Sequence, residues 1–345
     1  MSERATEEIR EAIRDHGPIA FDEFMELALY GPGGFYEEPP VGADGDFITS
    51  PHVHEVFASL LGDGIRELHE LLGRPSPMRS TEVGAGDGTL AAGLLPRLSD
   101  LGLEYTAVER SSGALRRLRS RGIASAESIP SGSHLVLAHE LLDNLPFRLL
   151  RDGREVRVDL EGTRFVEHQA EPADELEQLL DGPAERGETV IPTGALAFVD
   201  LVAARLADPG YVLLIDYGAS GDPGGPVHGY RGHRIVDDLL ANPGSTDITA
   251  GIDLAQIARR AESQGLIAYS PVTQRHALSA LGLKTWIREE LAKQAAHLEA
   301  SRGLEALRTW SGRSRAALLV DPAGLGRMRW LLLATDGQPA PSFIA

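Results

Sequence analysis

The stretch that decides the fold is Thr81-Glu82-Val83-Gly84-Ala85-Gly86-Asp87-Gly88-Thr89-Leu90. It follows a short apolar strand and opens a helical pattern. Glycines at such a turn let the backbone bend tightly and leave room for a ligand to approach the main chain. The helix amino terminus adds free N–H groups and the positive end of a dipole, which can meet a carboxylate or a pyrophosphate. The stretch therefore predicts a cofactor site at a strand–helix turn.

The spacing of these glycines indicates which cofactor to expect. The dinucleotide fingerprint is Gly-x-Gly-x-x-Gly. Gly84 and Gly86 match it, but the third glycine is Gly88, one position early, which is the form seen in class I methyltransferases. The next strand ends at Glu109, whose carboxylate can accept hydrogen bonds from both hydroxyls of a ribose. Glu109 thus predicts an adenosyl cofactor, and the glycine spacing favours S-adenosyl-L-methionine (SAM) over NAD.

Short apolar strands alternate with helices from residue 78 onward. The strands are predicted at Arg79–Val83, Glu104–Val108, His134–Ala138, Tyr211–Ile215, Leu266–Pro271 and Met328–Ala334. Helices are predicted near residues 89–101, 111–121, 195–207 and 252–263. This alternation predicts an α/β fold with a parallel sheet covered by helices on both faces, the doubly wound, Rossmann-like architecture of class I methyltransferases.

The chain has 345 residues, more than one core usually holds, so insertions or a second unit are expected. The predicted division is an N-terminal helical region with a cofactor-covering loop at 1–77 and a methyltransferase core at 78–345, with insertions at about 147–195 and 217–250 and C-terminal helices near 284–310. The first insertion contains a predicted β-hairpin that turns at Asp152-Gly153. The second is rich in glycine, proline and aspartate, and is predicted to be a long functional loop.

Composition narrows the class of partner and the compartment. The net charge of −18 would repel a phosphate backbone, so no nucleic-acid partner is expected. No apolar run approaches the roughly 20 residues that cross a bilayer, so no membrane partner is expected. The chain has no cysteine, which excludes disulfides and thiolate metal sites and fits a reducing cytoplasm. The basic residues are almost all arginine, typical of a GC-rich bacterial genome, and the acidic N-terminus fits neither a secretory nor a mitochondrial leader.

Acidic residues follow the strand predicted at His134–Ala138. Because open α/β sheets bind ligands beyond the carboxyl ends of their strands, Glu140 and Asp143 should lie beside the transferred group and orient a cationic acceptor. Asp143 has a second interpretation, since an aspartate at this place can also cap the following turn. Asp216, after a later strand, is a third candidate.

Several histidines raise the question of a metal. His52 and His54 are two positions apart, so on a helix their rings point to different faces. The remaining histidines considered are His228, His233 and His276, which form no second clear ligand pair. In a chain without cysteine these are better explained as structural or surface residues, and no metal site is predicted.

Five motifs occur in the same order as in a known family. They are Gly45-Asp46-Phe47-Ile48-Thr49-Ser50-Pro51, Glu82 to Leu90, Glu140-Leu141-Leu142-Asp143-Asn144-Leu145-Pro146, Ile215-Asp216-Tyr217-Gly218 and Asp247-Ile248-Thr249-Ala250. Over about residues 18–335 the chain resembles the MidA-type methyltransferases, a family that includes a mitochondrial protein arginine methyltransferase. The resemblance implies methyl transfer from SAM to a protein acceptor, with an arginine side chain as one candidate.

The resemblance also implies the residues of the cofactor site. They are Thr49, Ser50, Glu82, Gly84, Ala85, Gly86, Glu109, Arg110, His139 and Glu140. Residues 45–50 are expected to close over the cofactor, with Asp46 anchoring that loop. The chain departs from the family at His139, where asparagine is common, and at Gly251, where histidine is common.

The predicted function is SAM-dependent methyl transfer to a protein or a small cationic acceptor, with Glu140 and Asp143 as catalytic residues. A guanidinium has a pKa above about 12, so nearby carboxylates would localise its charge and accept a proton during transfer. Two other functions stay open here: a non-catalytic SAM-binding assembly factor, and an NAD(P)-dependent oxidoreductase, which the glycine spacing disfavours. A homodimer is also left open by the sequence.

Overall fold

The computed structural model describes residues 2–37, 49–180, 187–219, 226–232 and 234–345. Its α-helices are α1 (Ser2–His16), α2 (Phe21–Met25), α3 (Ser50–Val53), α4 (Val56–Leu71), α5 (Thr89–Leu94), α6 (Ser112–Ser120), α7 (Asp174–Glu177), α8 (Thr193–Ala203), α9 (Leu254–Ser263), α10 (Gln274–Ala280), α11 (Leu283–Glu299) and α12 (Gly303–Ala317). Residues 45–48 of the predicted cofactor-covering loop, with Asp46, and also His233 lie outside the described residues.

The strands form two main sheets and two small ones. They are β1 (Ile19–Ala20), β2 (Met78–Val83), β3 (Leu103–Val108), β4 (Ser125–Ala126), β5 (Ser133–His139), β6 (Arg148–Arg151), β7 (Arg154–Glu161), β8 (Arg164–Ala170), β9 (Glu188–Ile191), β10 (Leu206–Asp216), β11 (Gly218–Ala219), β12 (His228–Arg231), β13 (Arg234–Val236), β14 (Asp247–Thr249), β15 (Ile252–Asp253), β16 (Ile267–Ala268), β17 (Val272–Thr273) and β18 (Arg329–Ala334). The large sheet has the order β16-β18-β10-β5-β2-β3-β4, and β17 pairs with the other end of β18.

Successive side chains of the central strands point to opposite faces of the large sheet, as the pleat requires. On β10, Leu213 and Ile215 join α4, α5 and α10 on one face. Val212 and Leu214 join α8 and α9 on the other face. Burying each of these side chains contributes roughly 1.5–3 kcal/mol. The predicted doubly wound α/β architecture is therefore confirmed, and the carboxyl ends of β2, β3, β5 and β10 meet at one edge.

The direction of β18 corrects the prediction of an entirely parallel sheet. It runs antiparallel to β10, with Trp330 opposite Ile215. All residues from Trp330 to Ala334 are buried, and a strand covered on both faces carries no alternation that would reveal its direction. The strand predicted at Leu266–Pro271 is also shorter than expected, because β16 covers two of its residues and β17 begins after it. Both short strands pair with β18.

The helix predicted at 89–101 ends early as an α-helix. α5 ends at Leu94, and the chain continues as a 3-10 helix over Leu95–Leu101. Pro96 lies at the start of that second segment, where its missing N–H and its ring would interrupt α-helical hydrogen bonding. The proline therefore coincides with a change of helix type.

The smaller of the two main sheets is antiparallel and contains the predicted hairpin. β6 and β7 pair across Asp152 (φ 49°) and Gly153 (φ 79°), both left-handed, as a type I′ turn requires. The sheet also takes in β8 and β9 from the same insertion. Ile19 of β1 pairs with Val158 of β7, so a segment near the N-terminus completes this sheet.

The N-terminal region predicted at 1–77 contributes to the hydrophobic cores of both main sheets. Phe21 is fully buried and stacks on Phe147, 5.6 Å between ring centroids, in the core of the small sheet. Phe57 and Leu61 of α4 belong instead to the core of the large sheet. The insertion at 217–250, predicted as a loop, forms a three-stranded sheet of β12, β13 and β14.

Two negative findings concern the described ranges only. Within them, no helix combines the length and apolar character needed to span a membrane. Over the same residues, no three or more histidine, aspartate or glutamate side chains are grouped so as to hold a metal ion.

Candidate functional site

The edge where the strands end opens into a cavity of about 1210 Å³ enclosed by described residues. The predicted site residues that line it are Thr49, Glu82, Gly84, Ala85, Gly86, Glu109, Arg110, His139, Glu140 and Asp143. Its volume exceeds the range of about 300–1,000 Å³ that holds one small ligand. The cavity can therefore accommodate a nucleoside-sized ligand together with part of a second molecule.

The turn between β2 and α5, called the glycine turn below, contains three glycines whose surroundings differ. Gly84 (φ 73°), Gly86 (φ 56°) and Gly88 (φ 79°) are all left-handed. A Cβ on Gly84 would lie 2.9 Å from Leu141, and one on Gly88 would lie 2.7 Å from Leu118. A Cβ on Gly86 would meet no atom of the described residues within 4 Å. The backbone of Gly86 is therefore exposed to the cavity, so a bound cofactor can approach it closely.

Glu109 stands at the end of β3 and is held by main-chain donors. Its Oε1 accepts the Gly86 N–H at 3.1 Å, and its Oε2 accepts the N–H groups of Arg110 at 2.8 Å and Ser111 at 3.3 Å. Burial raises the pKa of Glu109, although these hydrogen bonds oppose the shift. A carboxylate has about four acceptor positions, so one on Oε1 remains for a ligand hydroxyl.

Glu82 lies beneath the glycine turn. It is 3% exposed, and its carboxylate accepts a hydrogen bond from the Tyr105 hydroxyl. Burial raises the pKa of Glu82 from 4.5 to about 7, although the hydrogen bond from Tyr105 opposes this. The group is thus close to half-protonated at neutral pH.

The two predicted contacts at the start of α3, Thr49 and Ser50, have different surroundings. Thr49 lines the cavity, and its hydroxyl lies 2.8 Å from Nδ1 of His52. Ser50 is fully buried behind the wall, where its hydroxyl lies 3.1 Å from the amide nitrogen of Gln274. Only the main chain of Ser50 reaches the site, because its N–H donates to Oε1 of Glu140 at 3.3 Å. Ser50 is therefore placed as a support for Glu140, which corrects its prediction as a direct cofactor contact.

Arg110 is at the mouth of the cavity. Its guanidinium forms an ion pair with Glu26 and lies 4.7 Å from the centre of the Tyr30 ring. Tyr30 in turn stacks on Tyr36, 5.5 Å between centroids. These contacts attach the N-terminal segment to the end of β3.

Glu140 begins the loop after β5 in a strained conformation. Its φ of 52° is unusual for a residue with a side chain, and its N–H donates to the carbonyl of Ile215 at 2.8 Å. Burial, and then the charge of Asp143, raise the pKa of Glu140 to about 8. Nε2 of His139 lies 3.3 Å from Glu140 Oε1, and burial lowers the pKa of His139 to about 3. The imidazole is therefore neutral at physiological pH.

Asp143 and Asp216 are a buried pair of carboxylates with different partners. Asp216 accepts the N–H groups of Leu141, Leu142 and Tyr217 at 3.0, 2.6 and 2.8 Å. Asp143 Oδ2 accepts the Thr249 hydroxyl at 3.0 Å, whereas its buried Oδ1 has no hydrogen-bond partner among the described residues. Burial raises the pKa of both groups. Asp216 therefore holds the loop in place, and Asp143 lines the cavity with its carboxylate close to that of Asp216.

Other lining residues were not among the predicted site residues. They are Tyr30, Tyr36, Tyr217, Glu127, Ser128, Asp247 and Arg327, among others. Glu127 and Ser128 follow β4, a strand of two residues that is too short to predict by periodicity. Burial raises the pKa of Tyr30 and Tyr36 well above the ordinary value, so both stay neutral donors. The ordered motif Asp247-Ile248-Thr249-Ala250 was the one available clue to this wall.

The cavity thus has two chemically distinct ends. The glycine turn, Glu109 and the bare backbone of Gly86 fit an adenosyl group. The other end holds Glu140, Asp143 and several tyrosines, a set that suits a cation. The junction of the two ends lies at Glu140, beside the carboxyl ends of β2 and β5.

Known proteins resemble this chain in sequence and in structure. The Methyltransf_28 family model, described as an S-adenosyl-L-methionine-dependent methyltransferase, matches residues 60–272. The mitochondrial protein arginine methyltransferase NDUFAF7 of Danio rerio is 30% identical over 314 residues, covering 77% of this chain and 74% of that protein. Its Drosophila melanogaster homolog is 30% identical over 318 residues, covering 77% and 72%. A crystal structure of a COG1565 superfamily member from Burkholderia thailandensis, bound to S-adenosyl-homocysteine, has a TM-score of 0.85 at 26% identity and covers 100% of this chain and 95% of that one.

Proposed function

This chain belongs to the Methyltransf_28 family of SAM-dependent methyltransferases, and we propose that it transfers a methyl group to a nitrogen of an arginine side chain in a protein. The observation that carries the proposal is the pair of acidic residues Glu140 and Asp143, which line the same cavity as the glycine turn. A guanidinium is permanently cationic and offers paired N–H donors to carboxylates. The names of the relatives, protein arginine methyltransferases, support the same acceptor. In this family the cofactor is SAM, so hydride transfer with NAD(P) is not proposed.

The glycine turn and Glu109 hold the cofactor in this proposal. SAM supplies a methyl group bound to a positively charged sulfur. Glu109 Oε1 accepts a ribose hydroxyl, and the backbone of Gly84, Ala85 and Gly86 lies along the ligand. The further contacts that we assign from their place on the cavity wall are Thr49, Glu82, Arg110, His139 and Glu140.

Glu140 and Asp143 act on the acceptor. Their carboxylates bind the guanidinium N–H groups and aim one nitrogen at the cofactor end of the cavity, an alignment worth several kcal/mol of the barrier. Methylation forms a C–N bond to the guanidinium as the C–S bond of the sulfonium breaks and the thioether leaves, and it releases one proton, which the Asp143 carboxylate accepts. The tyrosines and the buried loop exclude water, so each hydrogen bond to a carboxylate is stronger than at the surface.

The proposal also includes the cellular compartment and the type of acceptor. We place the protein in a bacterial cytoplasm on the absence of cysteine and the preference for arginine over lysine, while the curated relatives are mitochondrial. The net charge of −18 supports a cationic acceptor and opposes nucleic acid. A small cationic acceptor would use the same carboxylates, and a homodimer is compatible with this site.

Methyl transfer from labelled SAM to proteins of a bacterial lysate tests the proposal, with the labelled residue then located by mass spectrometry. We expect label on arginine, and we expect Glu140→Gln and Asp143→Asn to lower turnover at saturating SAM. SAM affinity measured by calorimetry should change little for Asp143→Asn, because Asp143 is not assigned as a cofactor contact. Glu70→Gln is the matched control, because Glu70 is an exposed residue of α4 paired with Arg74. Normal SAM binding with no transfer to any lysate component would instead favour a non-catalytic assembly factor.

A further inference from the structure

The segment that leads into β18 lies at the carboxyl edge of the large sheet. β18 runs antiparallel to β10, and its first residue, Arg329, is opposite Asp216 at the end of β10. The residues just before β18 therefore stand beside the cavity, and Ala323, Gly324 and Arg327 line it. Of these three, Arg327 has the charged side chain, and the proposed reaction gives it no role.

Tight packing fixes the main chain of this segment. A Cβ on Gly326 would lie 2.4 Å from the carbonyl carbon of Val320, so a larger residue would clash with the backbone there. The Gly326 N–H donates to the carbonyl of Asp321 at 2.9 Å. The Arg327 N–H donates to the carbonyl of Gly324 at 3.2 Å. The backbone of Arg327 is therefore held in place, while the residue itself is exposed at the cavity.

The Arg327 guanidinium has an aromatic ring as a neighbour but no carboxylate. Its Cζ lies 5.7 Å from the centre of the Tyr217 ring, within the range of a cation–π attraction. Within the described ranges it forms no ion pair. The other arginines that line the cavity there do have partners: Arg110 pairs with Glu26, Arg4 pairs with Glu8, and Arg205 donates to the carbonyl of Ile129. Arg327 is thus a cation at the cavity that is available to an anion.

Tyr217 places Arg327 at the acceptor end of the cavity. Burial raises the pKa of Tyr217, the charges of Glu140 and Asp143 raise it further, and the charge of Arg327 lowers it. The ring is therefore near the two carboxylates and near the guanidinium. A cationic acceptor that binds the carboxylates is repelled by Arg327 unless it also brings a negative charge to that side.

We infer that Arg327 is a specificity-determining residue that binds a carboxylate of the acceptor protein, the side chain of an aspartate or glutamate near the methylated arginine. This inference rests on the proposed function, since it takes an arginine bound at Glu140 and Asp143 as its starting point. A guanidinium offers parallel N–H donors that match the two oxygens of a carboxylate. Because Arg327 is exposed, it can meet an acidic residue that stays outside the cavity while the arginine enters.

The test uses peptides with one arginine among glycines, each with aspartate or asparagine at one of the three positions on either side of the arginine. Transfer from labelled SAM to each peptide by the full chain gives kcat/KM, and the ratio of the aspartate peptide to the asparagine peptide isolates the effect of charge. For the wild type we expect a ratio of about three to five at one position or more, the scale of an exposed ion pair. The ratio should fall towards one in about 1 M salt, which screens such a pair.

Two variants of Arg327 change the charge in different ways. Arg327→Met should bring the ratio to about one, because methionine can still pack on Tyr217 but carries no charge. Arg327→Glu should reverse the preference, so that a peptide with lysine at that position is a better substrate than the asparagine peptide. Arg308→Met is the matched control, because Arg308 is also exposed but lies on α12, away from the residues that line the cavity. Its ratio should equal that of the wild type.

Three results would contradict these expectations. A ratio of one at every position for the wild type, or an unchanged ratio for Arg327→Met, would overturn the inference alone. The cofactor also carries a carboxylate, so SAM binding is measured by calorimetry: weaker binding to Arg327→Met with an unchanged ratio would assign the guanidinium to the cofactor instead. A wild type that transfers label to none of the peptides would overturn the proposed function and this inference with it.

Discussion

Replacing Glu82 by glutamine should stabilise the protein at alkaline pH and much less at acidic pH. The carboxyl is 3% exposed, and burial raises its pKa from 4.5 to about 7. Folding therefore carries no penalty from this group below pH 4.5. The penalty grows as the pH rises and is complete above pH 7, where the buried group is ionised.

The size of the effect follows from that shift. One pKa unit corresponds to about 1.4 kcal/mol, so the complete penalty is about 3 kcal/mol, and about 2 kcal/mol of it develops between pH 5.5 and 8.5. Glutamine keeps an oxygen for the Tyr105 hydroxyl but carries no charge. The free energy of unfolding of Glu82→Gln minus that of the wild type should therefore be about 2 kcal/mol larger at pH 8.5 than at pH 5.5. Any fixed cost of the buried amide cancels in the difference.

Urea unfolding of both proteins at the two pH values measures this difference. Glu70→Gln is the control on the same chain, because the hydrogen bond from Arg74 lowers the pKa of Glu70 and keeps it ionised throughout. Its free energy of unfolding relative to the wild type should not change between the two pH values. The reasoning is refuted if the difference between Glu82→Gln and the wild type is also independent of pH.

Three further predictions concern the cavity. Glu109→Ala should weaken SAM binding by roughly 1–3 kcal/mol in calorimetry, and unchanged affinity in a folded variant would remove Glu109 from the site. Gly88→Ala should lower the free energy of unfolding by roughly 1–3 kcal/mol, because φ is 79° and the new Cβ would lie 2.7 Å from Leu118; a fully stable variant would contradict this. The pKa of Glu140 is about 8, so binding of a guanidinium probe below that pH should release a proton. A binding enthalpy that is the same in buffers of different ionisation heat would rule this out.

The large sheet could be predicted because its central strands are short apolar runs between helical patterns. The run Tyr211–Ile215 lies inside β10, and Glu109 follows β3 directly, so the sheet edge and its carboxylate come from local sequence. The direction of β18 could not be predicted, because a strand buried on both faces has the same apolar pattern whether it runs parallel or antiparallel to its neighbour.

The acceptor end of the cavity depends on contacts between distant residues. Tyr36 and Asp247 are 211 positions apart, and no spacing in the sequence relates them. Ser50 before a proline has the pattern of a helix cap, yet its hydroxyl is buried against Gln274, 224 positions away. The hydrogen bond from Thr249 to Asp143 likewise joins residues that are 106 positions apart. Local rules find the strands and turns, whereas these contacts are set by tertiary packing.

The pairing of Ile19 with Val158 has a consequence for biosynthesis. Helix α2 emerges from the ribosome early, but the strand that completes its sheet is made about 140 residues later. At about 5–20 residues per second, that delay is about 7–28 s. Throughout it, Phe21, Phe24 and Met25, all fully buried in the finished fold, have no core to enter. The nascent chain therefore presents an aromatic segment to chaperones until β7 has been made, and slowing translation should increase chaperone association there.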